Sequence, residues 1–126
     1  MAVQPVNPRP SKRTFASVVI STGATGVSDS VNLTGYTLVG FQMSTGWDDA
    51  KIGYKNSIDG STNFNDVYDT AGTLLTHATT ASRFVTVNPA TVRGPGFIQL
   101  VSETSAGVAV AQTVSRTILL ALAEVY

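Results

Sequence analysis

Lys51–Gly60 reads KIGYKNSIDG, and this stretch decides the fold. Ile52, Tyr54 and Ile58 fall on one side of an extended chain, and Lys51, Gly53, Lys55 and Ser57 fall on the other. A period of two with charge on one side describes an antiparallel strand that is half buried. Asp59-Gly60 then supplies the positive φ angles that a tight reversal needs. Phe64, Val67 and Tyr68 resume apolar character a few residues on. The stretch is expected to be a strand running into a hairpin.

The same grammar extends in both directions. Thr14–Ile20 (TFASVVI), Ser30–Leu33, Tyr36–Met43 (YTLVGFQM), Arg83–Val87 (RFVTV) and Phe97–Ser102 (FIQLVS) are short, rich in β-branched and aromatic residues, and bounded by Gly, Ser, Thr and Asn. Arg116–Val125 (RTILLALAEV) has Leu and Ala enough for a helix. Its Thr-Ile start and its place after a series of strands argue for a strand. No segment carries a sustained 3.6-residue apolar stripe with caps at both ends. Seven to eight short strands with frequent turn signals predict an all-β, antiparallel sandwich of jelly-roll-like form over residues 14–126.

Residues 1–13 (MAVQPVNPRPSKR) stand apart. Pro5, Pro8 and Pro10 fix φ and remove backbone donors, so the segment is expected to be an extended arm. Arg9, Lys12 and Arg13 make it basic, with no acidic residue before Asp29. A frayed terminus, an arm ordered on a neighbouring subunit and a nucleic-acid contact all remain open. Three charges release few counterions, which ranks nucleic acid last.

Composition narrows the function. The 126 residues carry eight basic and eight acidic side chains, a 13% charged share that is about half the usual one. Ser and Thr are abundant. Zero net charge gives no bulk attraction to nucleic acid or to an anionic membrane. There is no cysteine, hence no disulfide framework and no thiolate chemistry. The N-terminus has no apolar leader and the longest apolar run, Ile118 to Ala123, is far too short to span a bilayer. A soluble chain is expected.

Few residues are candidates for chemistry. Asp59, Asp66 and Asp69 fall within eleven positions, yet an EF-hand numbered from Asp59 would place Phe64 where Gly belongs and Thr70 where Glu belongs. Asp69-Thr-Ala-Gly72 reads as a second turn. His77 is the single histidine, so a multi-histidine zinc site is excluded, and no G-x-S-x-G elbow accompanies it. The expectation is no catalytic residue, no metal and no cofactor. Trp47, in the loop Ser44-Thr-Gly-Trp-Asp-Asp49, has two competing uses. Exposed, it would stack on a glycan or anchor a protein partner; turned inward, it would cap the barrel end with its indole N–H satisfied.

The run Gly46-Trp-Asp-Asp-Ala-Lys-Ile-Gly-Tyr-Lys-Asn-Ser-Ile-Asp-Gly60, with Phe64-Asn-Asp-Val-Tyr-Asp69 and Gly72, resembles small virion structural proteins of tailed bacteriophages. Ala81-Ser-Arg-Phe-Val-Thr-Val-Asn-Pro89 and Phe97–Ser102 follow in the order found there. The resemblance covers roughly residues 36 to 125. It implies a head decoration (cement) protein, made in the host cytoplasm and carried on the outside of the phage head. Its partner would be the major capsid protein, contacted by Pro8, Arg9, Pro10, Lys12 and Arg13. Symmetric shell sites imply a homotrimer. A Ser-x-Asp-Gly turn before an aromatic also occurs in glycan-binding jelly rolls, so a carbohydrate-binding module and a tail, neck or baseplate component are the alternatives.

Overall fold

A computed structural model of the chain describes residues 13–23, 25–88 and 96–124. The described residues form nine strands and no helix: β1 (Arg13–Ile20), β2 (Val31–Asn32), β3 (Tyr36–Gln42), β4 (Lys51–Ser57), β5 (Asn65–Asp66), β6 (Thr76–His77), β7 (Phe84–Thr86), β8 (Phe97–Glu103) and β9 (Arg116–Glu124). They make two antiparallel sheets. One has the order β1-β9-β3-β7; in the other, β2-β8-β4-β5, β6 also pairs with β4. The expected antiparallel β-sandwich is therefore what the chain builds.

The two sheets meet over one core. Val18, Ile20, Leu38, Phe41, Ile118, Leu120 and Leu122 come from the first sheet, and Ile52, Tyr54, Ile98 and Leu100 from the second. Nearly all are fully shielded, and burying each such side chain stabilises the fold by roughly 1.5–3 kcal/mol relative to exposure. The C-terminal apolar segment is held as a strand because β9 is central, with β1 on one side and β3 on the other. Ladder hydrogen bonds on both edges and alternate burial of Ile118, Leu120 and Leu122 outweigh the helix preference of Leu and Ala.

β3 does something that alternation forbids. Leu38 and Phe41 lie three residues apart, yet both face the core at 0% exposure. The register explains it: Leu38 pairs with Leu122, and Gly40, two residues on, pairs with the adjacent Ala121. Val39 is the extra residue of a β-bulge, which turns Gly40 outward and brings Phe41 in.

Three expectations need correction. The strand count is nine because β5 and β6, two residues each, are too short to leave a periodic signal. Ile58 is not on the buried side of β4; the strand ends at Ser57, and Ile58 stands 87% exposed in the turn. Arg13, expected as the last residue of the arm, is a strand residue of β1 and pairs with Ala123. Pro8, Arg9, Pro10 and Lys12 lie outside the described residues.

Candidate functional site

The acidic stretch resolves into three separate local roles. Asp59 receives the amides of Ser61 and Thr62, both at 2.9 Å, and the Thr62 hydroxyl at 2.7 Å. Gly60 follows at φ 81°, a conformation its lack of Cβ permits. Those donors, the Thr62 amide foremost, hold the Asp59 carboxyl well below its usual range. Asp69 closes its own turn by accepting the amides of Ala71 and Thr73, with Gly72 at φ 83°. Asp66 is no turn residue: it sits on β5 and pairs with Lys55 at 2.8 Å. Among the described residues no group of three His, Asp or Glu side chains is placed to hold a metal ion.

Trp47 is turned inward. It is 7% exposed, belongs to the core, and its indole N–H donates to the Ala50 carbonyl at 3.1 Å. The inward of the two uses is the one adopted, and at 7% exposure the ring offers little surface for stacking or anchoring. The loop that holds it is pinned by its neighbour. Asp48 accepts the Thr113 amide at 2.6 Å and Arg116 Nη2 at 3.2 Å, and the Asp48 amide donates to Gln112. The Thr113 amide does most to hold the Asp48 carboxyl below its ordinary value.

His77 is also spoken for. Its ring stands edge-on to Phe41 and Tyr54, and the Tyr54 hydroxyl lies 3.1 Å from Nδ1. Desolvation pushes the Tyr54 phenol up and the His77 imidazole down, so both are neutral near pH 7. The pair serves as a satisfied polar contact inside the sandwich.

The outer faces of the two sheets differ sharply. On the β4–β8 sheet, Lys51, Gly53 and Lys55 face outward, with Asp66 opposite Lys55 and Glu103 opposite Lys51. Glu103 is 3% exposed, and its Oε2 lacks a hydrogen-bond partner. The carboxylate lies over Gly53, where a Cβ would collide with it. Burial chiefly, then the charge of Asp66, raises the Glu103 carboxyl above its ordinary 4.5, with Lys55 opposing. Beside it opens a cleft of about 400 Å3 bordered by Asp49, Lys51, Thr79 and Ser105.

On the β1–β9 sheet the register lines up a different surface. Phe15 sits opposite Ala121, and Ala121 opposite Gly40. In the next row Ser17 faces Leu119, Leu119 faces Gln42, and Gln42 faces Phe84. Phe15 is 76% exposed, Phe84 50%, Leu119 45% and Val19 38%. Between Phe15 and Phe84 lies a depression of about 260 Å3 with Ala121 and Leu119 in its lining. Arg13 is the one charged side chain that alternation turns outward on these four described strands.

Single exposed apolar residues such as Ile58, Tyr68 and Val108 are ordinary. A face with four exposed large apolar side chains and a single charge at its end is not, because an antiparallel sheet open to water normally turns polar residues outward. Sequence reading missed both outer-face features. Phe15 and Phe84 were legible as strand residues, but which side they faced depended on strand order. Glu103 was hidden because its burial comes from a glycine fifty residues away.

The chain matches no protein-family model, and no curated protein matches it.

Proposed function

We propose that this chain is a structural subunit whose work is to be covered by other proteins, and specifically a decoration (cement) protein on the head of a tailed bacteriophage. The observation that carries the first part is the aromatic outer face of the β1–β9 sheet, with Arg13 at its end as its one charge among the described strands. A face of that kind, on a chain with so few charges, is built for protein contact. The second part rests on the resemblance of Gly46–Gly60 and Phe64–Asp69 to small phage virion proteins. In this reading the subunit stabilises the shell by joining neighbouring copies of the major capsid protein from outside. It needs no cofactor and performs no catalysis.

The deciding measurement is copy number per particle, by quantitative mass spectrometry of purified virions. On the order of hundreds of copies is the expected result, since shell decoration follows the symmetry of the shell. About six or twelve copies would instead fit a neck or baseplate ring, and absence from the particle would sink the reading.

A further inference from the structure

We propose that the outer face of the β1–β9 sheet packs against the same face of a second copy, giving a two-fold dimer in which each Phe15 enters the other's depression beside Ala121. The proposal rests on the reading that this face is a protein contact surface, and it names the first protein to cover it. It also replaces the three-fold arrangement expected from shell symmetry with a two-fold one.

Charge is the first argument for self-contact. An isologous interface sets each residue near the axis close to its own copy, so a charged face repels itself. Here Phe15, Ser17, Val19, Leu119, Gln42 and Phe84 present no charge, and Arg13 lies at the strand end, away from the centre. The opposite sheet, with Lys51, Lys55 and Asp66 outward, lacks this property.

Shape is the second. Phe15 is a knob, and the depression between Phe15 and Phe84 is a hole whose lining includes Ala121. Ala121 in its lining is small, and the Phe84 ring that borders the hole lies over Gly40 so closely that a Cβ there would meet it at 2.5 Å. Knob and hole on one face satisfy the reciprocal contact that a two-fold axis imposes.

Area is the third. A fully exposed phenylalanine offers roughly 150–250 Å2. Phe15, Phe84, Leu119 and Val19 at their exposures supply on the order of 400 Å2 per copy, and the exposed rim of Ser17, Thr117 and Arg13 extends the face toward the roughly 600 Å2 per partner at the lower bound of specific interfaces. Pairing through the edge of β1 is the weaker route. The Val19 amide on that edge already donates to Asp29 Oδ1 at 2.7 Å, which shortens the ladder a second strand could join.

The test is sedimentation equilibrium of the purified full chain over a range of concentrations. The expected mass is twice that of one chain, and Phe15→Asp weakens the association by roughly 30-fold or more, as loss of a central anchor does. Circular dichroism checks that the variant keeps its β-structure. Because the chain has no cysteine, Ser17→Cys gives a second readout that leaves Phe15 in place. A bifunctional maleimide is expected to join Ser17→Cys chains in pairs and to leave Ser61→Cys chains, labelled in the exposed β4–β5 turn, unpaired. A wild-type chain that stays monomeric overturns the dimer, as does efficient pairing of Ser61→Cys in place of Ser17→Cys. A monomer abundant on particles would refute the dimer alone; a dimer absent from particles would refute the decoration role alone.

Discussion

The outer faces of the two sheets are made by the same kind of strand and solve opposite problems. On the β4–β8 side, Lys55 and Asp66 pair in the open while Glu103 folds down over Gly53, out of water and with one oxygen unpartnered. On the β1–β9 side a glycine also sits at the centre, but an aromatic ring leans over Gly40 in place of a carboxylate. The first face keeps its charge and hides part of it; the second has almost none to hide. What differs is the character of the neighbour that fills the space left by a missing Cβ, and with it what each face can meet.

That contrast can be broken most severely within one strand. Leu120 and Leu119 are adjacent on β9, one fully buried and the other 45% exposed on the apolar face. Leu120→Ala is expected to cost about 2–5 kcal/mol in urea unfolding, through lost transfer energy and a cavity. Leu119→Ala should stay within about 0.5 kcal/mol when both proteins are monomeric, and should show itself in self-association. Equal losses would mean that the outer face is packed like the core.

Glu103→Gln probes the charged face. Removing an ionised group that burial penalises should stabilise the chain near pH 8, by on the order of 1 kcal/mol. The sign with pH follows from linkage. A carboxyl raised above its ordinary 4.5 binds its proton more tightly in the folded chain, so stability falls as pH rises from 4.5 through the raised value. Asp48 and Asp59, both held below 3.8, act in the opposite sense, and their contribution disappears as acid protonates them below that value. His77, pushed below its ordinary 6.5, also adds stability as pH rises toward that value, so the Glu103 contribution is read from the difference between the wild-type and Glu103→Gln melting profiles. That difference should move in favour of Glu103→Gln as pH rises from 4.5, with the acid limb shared; a difference that does not change with pH would show that Glu103 is not the titrating group.

The smallest effect belongs to Lys55 and Asp66. Both are about a third exposed, so a double-mutant cycle to Ala should give a coupling of about 0.2–1 kcal/mol that fades with salt. A larger, salt-resistant coupling would show that this face is covered too.

Much of the fold was legible along the chain because β4 alternates cleanly and Asp59-Gly60 announces its turn. The outcome at Ile58 shows the limit of that reasoning: the alternation was extended one pair too far, past the point where Ser57 and Asp59 begin to organise the turn. Gly60 donates to Ser57 Oγ at 3.0 Å, and Asp59 accepts from that same hydroxyl at 2.9 Å. Trp47 could be assigned to a loop but not to a side of it. Its burial depends on Ala50 lying within reach and on Asp48 tying the loop to Thr113 and Arg116, more than sixty residues away.

The amino-acid order by itself determined the longer strands, the Asp59-Gly60 turn and the poverty of charge, since each follows from residues a few positions apart. Tertiary structure decided which side of each strand meets water. Facing depends on strand neighbours distant in the chain and on a bulge at Val39 that reverses the alternation of β3. It set Phe15, Leu119 and Phe84 on one open surface and folded Glu103 over Gly53. Those placements need the whole sandwich closed before they exist.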